Sequence, residues 1–257
     1  MHENKKKDQS KIQKIAAVVF WLAVWQAAAM LIHQEIFLAS PLQVFKTLAG
    51  DVRQREFWLS ISFSMERIVG GFSLALLAGI LLAVLAARFR FVRILLNPVM
   101  ITVRSIPVAS FVILALLWFG SRNLSIIISF LMVMPVIYNN TLQGILQTDP
   151  KLLEMAHIFR IGNVNQMIYI YIPQVMPYLT AGCTIGLGLC WKSGIAAEVI
   201  GIPGGSIGEK LYEAKIYLSS GDLFAWTLVI VLISAAFEKF VLFLLSQLEK
   251  HIENQGS

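Results

Sequence analysis

The chain has 257 residues and a net charge of +6, and it is 57% hydrophobic but only 14% charged, with a mean hydropathy of +0.72. A soluble domain carries about 25% charged residues, so the deficit excludes an ordinary soluble enzyme and points to a chain whose main solvent is lipid. The basic residues sit between apolar runs rather than in one patch, which excludes a nucleic-acid binder, and four scattered histidines offer no metal spacing.

A helix needs roughly 20 apolar residues to cross a bilayer. Six runs have that length: 15–32, 60–87, 94–118, 124–146, 174–199 and 223–246. The first follows a basic leader, MHENKKKDQSKIQK, and Ala27–Ala29 resembles a signal cleavage site. Its apolar run exceeds the about 7–15 residues of a signal core and five more runs follow, so a retained helix is expected. The connector SPLQVFKTLAGDVRQREFWLS comes next. There Ser40 suits a helix cap, Pro41 suits the first turn, and the remainder is amphipathic, which fits a helix along the outer interface or equally a plain connector.

Lys and Arg in the connections set the orientation. With a cytoplasmic N-terminus, the inner segments hold Lys5, Lys6, Lys7, Lys11, Lys14, Arg88, Arg90, Arg93, Lys151, Arg160 and Lys250. The outer segments then hold only Lys46, Arg53, Arg55, Arg122, Lys210 and Lys215. That asymmetry puts both termini in the cytoplasm.

In the second run, Gly71, Ala75, Gly79, Ala83 and Ala87 recur every fourth residue, a spacing that lets helix backbones approach. In the third run, Arg104 precedes Ser105-Ile106-Pro107. Proline disfavours helix at the residue before it, so a break is expected there, and a break frees backbone groups to line a cavity. After the fourth run, Asp149-Pro150 reads as a capped helix start. Leu152, Leu153, Ala156, Ile158, Phe159 and Ile161 then supply apolar surface, and Gly162-Asn163 reads as the stop. A second short helix runs toward Pro173 and Pro177, which are expected to break or bend it before the fifth run.

The fifth run carries a second small-residue stripe, Gly182, Gly186, Cys190 and Gly194, along with Lys192 and Glu198. Cys183 and Cys190 in this run read as packing residues rather than a redox pair. A charge at mid-bilayer costs about 2.5–3.5 kcal/mol on insertion scales, so each needs a partner or water. Arg104 and Lys192 are candidates to line a solute pathway, where positive charge suits an anion. Glu198, six positions after Lys192 and rotated by about 240°, lies on another face and is a further pathway candidate or a structural ion-pair member.

The segment after Asp149 also carries a family resemblance. Glu154, Ala156, Ile170, Ile172 and Pro173 stand at the spacing of the EAA loop of binding-protein-dependent ABC importer permeases, with Pro173 following Glu154 by 19 positions. Met155 replaces the first alanine of that pattern, and Arg160 stands where its glycine is expected, with Gly162 two residues later. SFSMERIVGGF at Ser62–Phe72 resembles the start of the family's core, VRSIPVASFVILALLWFG at Val103–Gly120 resembles a segment of the nitrate, sulfonate and taurine subfamily, and AAEVIG at Ala196–Gly201 followed by GGSIG resembles its fifth-helix end.

The resemblance implies an all-α membrane protein of six transmembrane helices with the type I ABC importer permease fold. It implies that the loop is a coupling helix seated on a separate ATPase, with Glu154, Met155, Ala156, Phe159, Arg160 and Gly162 at the contact. It further implies ABC ATPase subunits that bind ATP and magnesium, an extracytoplasmic solute-binding protein, a second permease copy and a bacterial cytoplasmic membrane. Residues 1–57 would hold the N-terminus, first span and connector. Residues 58–248 would form the permease core, with the coupling loop at 149–173, and 249–257 a cytoplasmic tail. Solutes of that subfamily include nitrate, sulfonates, taurine and pyrimidine vitamin precursors.

The residues alone agree on one point. The chain has no G-x-x-x-x-G-K-[ST] phosphate loop, since GGSIGEK at Gly204–Lys210 fails the spacing, so no catalytic set and no bound cofactor or metal is expected in this chain. G-x-S-x-G around Ser206 lacks the strand and base that a hydrolase elbow needs. A secondary transporter or channel is the alternative, but no inverted repeat is evident, and the Glu154 loop would then have no role.

Overall fold

The computed structural model describes residues 2–32, 34 and 36–255, with side chains for residues 13, 15–32, 34 and 36–250. The side chains of Lys5, Lys6, Lys7, Lys11, Lys14 and His251 lie outside the described residues. The elements are helical throughout: α1 (His2–Ile32), α2 (Pro41–Asp51), α3 (Arg55–Arg88), α4 (Arg90–Ser105), α5 (Val108–Phe119), α6 (Leu124–Leu146), α7 (Pro150–Ile158), α8 (Asn163–Gln166), a π-helical turn (Met167–Tyr171), α9 (Ile172–Gly201), α10 (Ile207–Ile216) and α11 (Ser220–Gln255).

Among the described residues five helices are long and apolar enough to cross a membrane: Ile15–Ile32, Arg55–Arg88, Leu124–Leu146, Asn163–Gly201 and Ser220–Lys250. The run at 94–118 is instead two helices, α4 and α5, bent by 105°. The bend falls at Ile106, which is extended (φ −78°, ψ 132°), and Pro107. This is the break expected from proline's clash with a helical predecessor, and with the bent pair taken as one span the described residues hold six.

The chain forms two compact units. The larger comprises 60–209 and 230–257. In it α6 and α9 make the closest helix pair, with α5 against both and α4 against α6. The stripes predicted from small residues sit at these contacts. A Cβ on Gly71 would stand 2.5 Å from the Ile126 carbonyl oxygen of α6, and one on Gly194 would stand 2.7 Å from the Ile68 side chain of α3. Cys183 and Cys190 are buried along α9 as free thiols, with no disulfide between them. Leu124, Ile128, Val112 and Ala197 form a core where α5, α6 and α9 meet.

The smaller unit comprises 1–59 and 210–229. Ser40 caps α2 by accepting from the Gln43 amide at 3.3 Å, as its sequence position predicts. Ala39, Val44 and Ala225 form the core of this unit, with Trp25 and Phe224 packed on it. The Trp25 indole donates to the Ala39 carbonyl at 3.1 Å, and Phe57 stacks on Trp226 with ring centroids 4.9 Å apart. A cavity of about 200 Å³ in the same unit is lined by Asp51, Glu56, Lys210, Glu213, Asp222 and Trp226, among others.

Candidate functional site

The segment from Asp149 to Pro173 is built by local rules. Asp149 accepts from the Lys151 amide at 2.9 Å and Pro150 opens α7, so the helix start needs no tertiary help. Ala156 is the one residue of α7 that is buried. Glu154, Met155, Phe159 and Arg160 all face out. Ile158 is 76% exposed and Phe159 72% exposed. These large apolar side chains stand open at the end of a nine-residue helix that also carries the exposed Glu154.

Arg160 resolves the missing glycine. The Ile161 amide donates to Ala156 O at 2.9 Å and the Arg160 amide to His157 O at 3.1 Å, the paired bonds of a Schellman helix end. That motif requires a left-handed residue at the position Arg160 occupies, and Arg160 has φ 49°. Gly162, where the sequence suggests the stop, keeps an ordinary φ of −63°. The helix end therefore turns at an arginine.

The expected break at Pro173 and Pro177 is absent. From Asn163 the helix runs unbroken to Gly201 over 39 residues. A π-helical turn at Met167–Tyr171, closed by the Ile172 amide on Met167 O, lies just before Pro173. A π-turn reroutes backbone bonds at the point where proline cannot donate one, so the helix continues through Pro173.

Arg104 lies exposed in the last turn of α4, directly before the 105° bend. Lys192 is exposed on α9, while its neighbours Trp191 and Ser193 are buried. Glu198 lies on the other face, as the helical rotation predicts, and has no exposed surface at all. Its carboxylate sits in a closed hydrogen-bonded cluster. Glu198 Oε2 accepts from the Ser64 hydroxyl at 2.6 Å and from the Gly208 amide at 3.2 Å. Its Oε1 accepts from the Ser125 hydroxyl at 3.0 Å. Ser64 in turn accepts from the Ile207 amide at 2.9 Å. The salt bridge among the described residues is elsewhere, Lys210–Glu213 at 3.0 Å.

Sequence reasoning missed Ser64 and Ser125. Each is a serine inside an apolar helix, which signals a buried hydrogen bond without naming its partner. The GGSIG motif also gains a structural meaning. Gly205 has φ 80°. Ser206 caps α10 by accepting from the Glu209 amide at 3.0 Å. A Cβ on Gly208 would stand 2.2 Å from the Glu198 Cβ, so only glycine lets α10 lie against the end of α9.

Comparison with known proteins agrees with this architecture. A nitrate import permease protein of Synechococcus elongatus is 27% identical over 219 residues, covering 81% of this chain and 77% of its own. A taurine transport system permease protein of Escherichia coli is 26% identical over 231 residues, covering 87% and 84%. A bicarbonate transport system permease protein of the same Synechococcus species is 28% identical over 198 residues, covering 76% and 70%. The crystal structure of an amino acid ABC transporter with histidines matches with a TM-score of 0.50 at 20% identity, covering 77% of this chain and 94% of that one, a likeness of fold. The family model for binding-protein-dependent transport system inner membrane components matches residues 75–254, more than half of the chain. The helices, the loop with its outward glutamate and this match leave one conclusion: the chain belongs to that family and is the membrane-spanning permease subunit of an ABC importer.

Proposed function

We propose that this permease works as a homodimer in a bacterial cytoplasmic membrane, with both termini inside, and moves a small anionic or strongly polar solute inward. Two ATPase subunits, which bind ATP and magnesium, sit on the cytoplasmic side, and a solute-binding protein delivers the solute from the other. The outward face of α7 carries this reading: Glu154, Met155, Phe159 and Arg160 are exposed on a short, well-capped helix, followed by Gly162. An apolar patch with one carboxylate fits a groove on a protein partner. Ala156 anchors that helix from behind, being fully buried.

Relatives named for nitrate, taurine and bicarbonate support an anionic or zwitterionic solute. Arg104 and Lys192 supply positive charge on surfaces that this single chain leaves open, and a fixed charge there needs water, a second copy or the solute.

Glu154→Lys tests the coupling reading. The variant should insert normally, because position 154 is exposed and outside the spans. Co-purification of the ATPase should fall at least about ten-fold, as when a charge meets the wrong sign across an interface. Normal ATPase retention and normal uptake in reconstituted vesicles would remove Glu154 from the contact.

A further inference from the structure

The buried carboxylate of Glu198 has a use that neither solute passage nor an ion pair explains. The first amides of any α-helix have no partner within the helix. In α10 the amides of its first three residues are met from outside the turn ladder: Ile207 N by the Ser64 hydroxyl at 2.9 Å, Gly208 N by the Glu198 carboxylate at 3.2 Å, and Glu209 N by the Ser206 hydroxyl at 3.0 Å. Two of these caps come from other helices, α3 and α9. Every group that faces Glu198 through a hydrogen bond is a donor, and the carboxylate stands at the helix end where the macrodipole favours negative charge.

The chain between the two helices is equally constrained. Ile202 is left-handed at φ 45°, Gly205 turns at φ 80°, and Gly208 lies too close to Glu198 for any side chain. A β-branched residue such as isoleucine adopts that conformation only where its surroundings impose it. The corner from α9 into α10 is therefore a fixed joint. The same helix rod that ends at this joint begins at Asn163, next to α7. Both lie in the larger unit.

We propose that Glu198 is a positioning residue that locks the first turn of α10, Ile207 to Glu209, to the far end of α9, so that displacement of α9 at the α7 end is carried into that turn. This rests on the reading of α7 as the ATPase contact. Glu198 acts through the α10 amides and does not touch the solute.

The test uses the full transporter, with ATPase and binding protein, reconstituted in vesicles. Glu198→Ala should speed hydrogen exchange at the Ile207 and Gly208 amides and lower maximal uptake, each by about ten-fold, the scale of losing a charge-assisted hydrogen bond. The solute concentration for half-maximal uptake should stay unchanged. Glu198→Gln should recover most of the uptake, because its amide oxygen can accept from Ser64 and Gly208 while its nitrogen donates to Ser125, whose hydroxyl turns to accept. If Glu198→Ala does not assemble, Ser64→Ala decides in its place, with faster exchange at Ile207 and reduced uptake expected.

Wild-type uptake in Glu198→Ala, or in Ser64→Ala where that variant decides, overturns the proposal. So does a Gln variant as inactive as the Ala variant with its α10 amides still protected, which would return the charge itself to the pathway. Failure of the α7 reading appears separately, as loss of the Glu154→Lys effect on ATPase binding, and leaves the exchange result at α10 independent.

Discussion

Arg160 holds the left-handed position of a Schellman end that glycine fills more easily. An L-residue pays about 1–2 kcal/mol for that conformation, offset by about 0.5–1 kcal/mol because glycine loses more freedom on folding. Arg160→Gly should therefore tighten the end of α7 by roughly 0.5–1 kcal/mol, slowing hydrogen exchange at the Ile161 amide about two- to five-fold. Faster exchange in the variant would show that the arginine side chain holds the turn by a contact of its own. Glu198 teaches the opposite lesson. Its neighbours were invisible in the sequence because Ser64 lies 134 residues away and Ser125 lies 73 away. An acid in an apolar run declares that it needs donors, and only packing says which.

At the scale of elements, α2 ends in an unfavourable charge. Asp51 closes the helix, where the macrodipole disfavours an anion, and it lines a cavity beside Asp222. Burial, then the Asp222 carboxylate, push the Asp51 pKa above its ordinary value, against a smaller opposing pull from Lys210. A raised carboxyl pKa means that the folded state holds the proton more tightly than the unfolded state. Stability from this group is then present at low pH and is lost as pH rises through the raised value. Asp51→Asn should accordingly raise the thermal midpoint at neutral pH, and the gain should vanish as pH falls through the carboxylate range, where wild-type Asp51 is already protonated. Thermal unfolding in detergent at several pH values checks this, and a gain that grows on acidification would contradict it. The rod from Asn163 to Gly201 is the other element-scale result. Two prolines predicted a break, but one π-turn accommodates Pro173 and the helix continues.

At the scale of the molecule, Lys192 carries the pathway reading. It is exposed on a helix whose other faces are buried against α6 and α3. Lys192→Met keeps the length and the apolar stem, so assembly with the ATPase should be unaffected on co-purification. Uptake of an anionic solute should fall about ten-fold, or about 1.4 kcal/mol in the rate-limiting barrier. Normal uptake, or a loss explained wholly by failed dimer assembly, would make the lysine structural.

What the sequence determined by itself is local. The spans follow from apolar length. The caps at Ser40 and Asp149 and the break at Ile106-Pro107 follow from interactions within four residues. The small-residue stripes follow from helical rotation, and the EAA-like spacing from residue identity. Tertiary structure decided the rest. It set a left-handed Arg160 where a glycine was expected, carried the helix through Pro173, and placed the Glu198 carboxylate against the first turn of α10. The reason is that periodicity and capping act along one helix, whereas the partner of a buried polar group is chosen by which helices meet. That choice depends on long-range packing, and no window of sequence contains it.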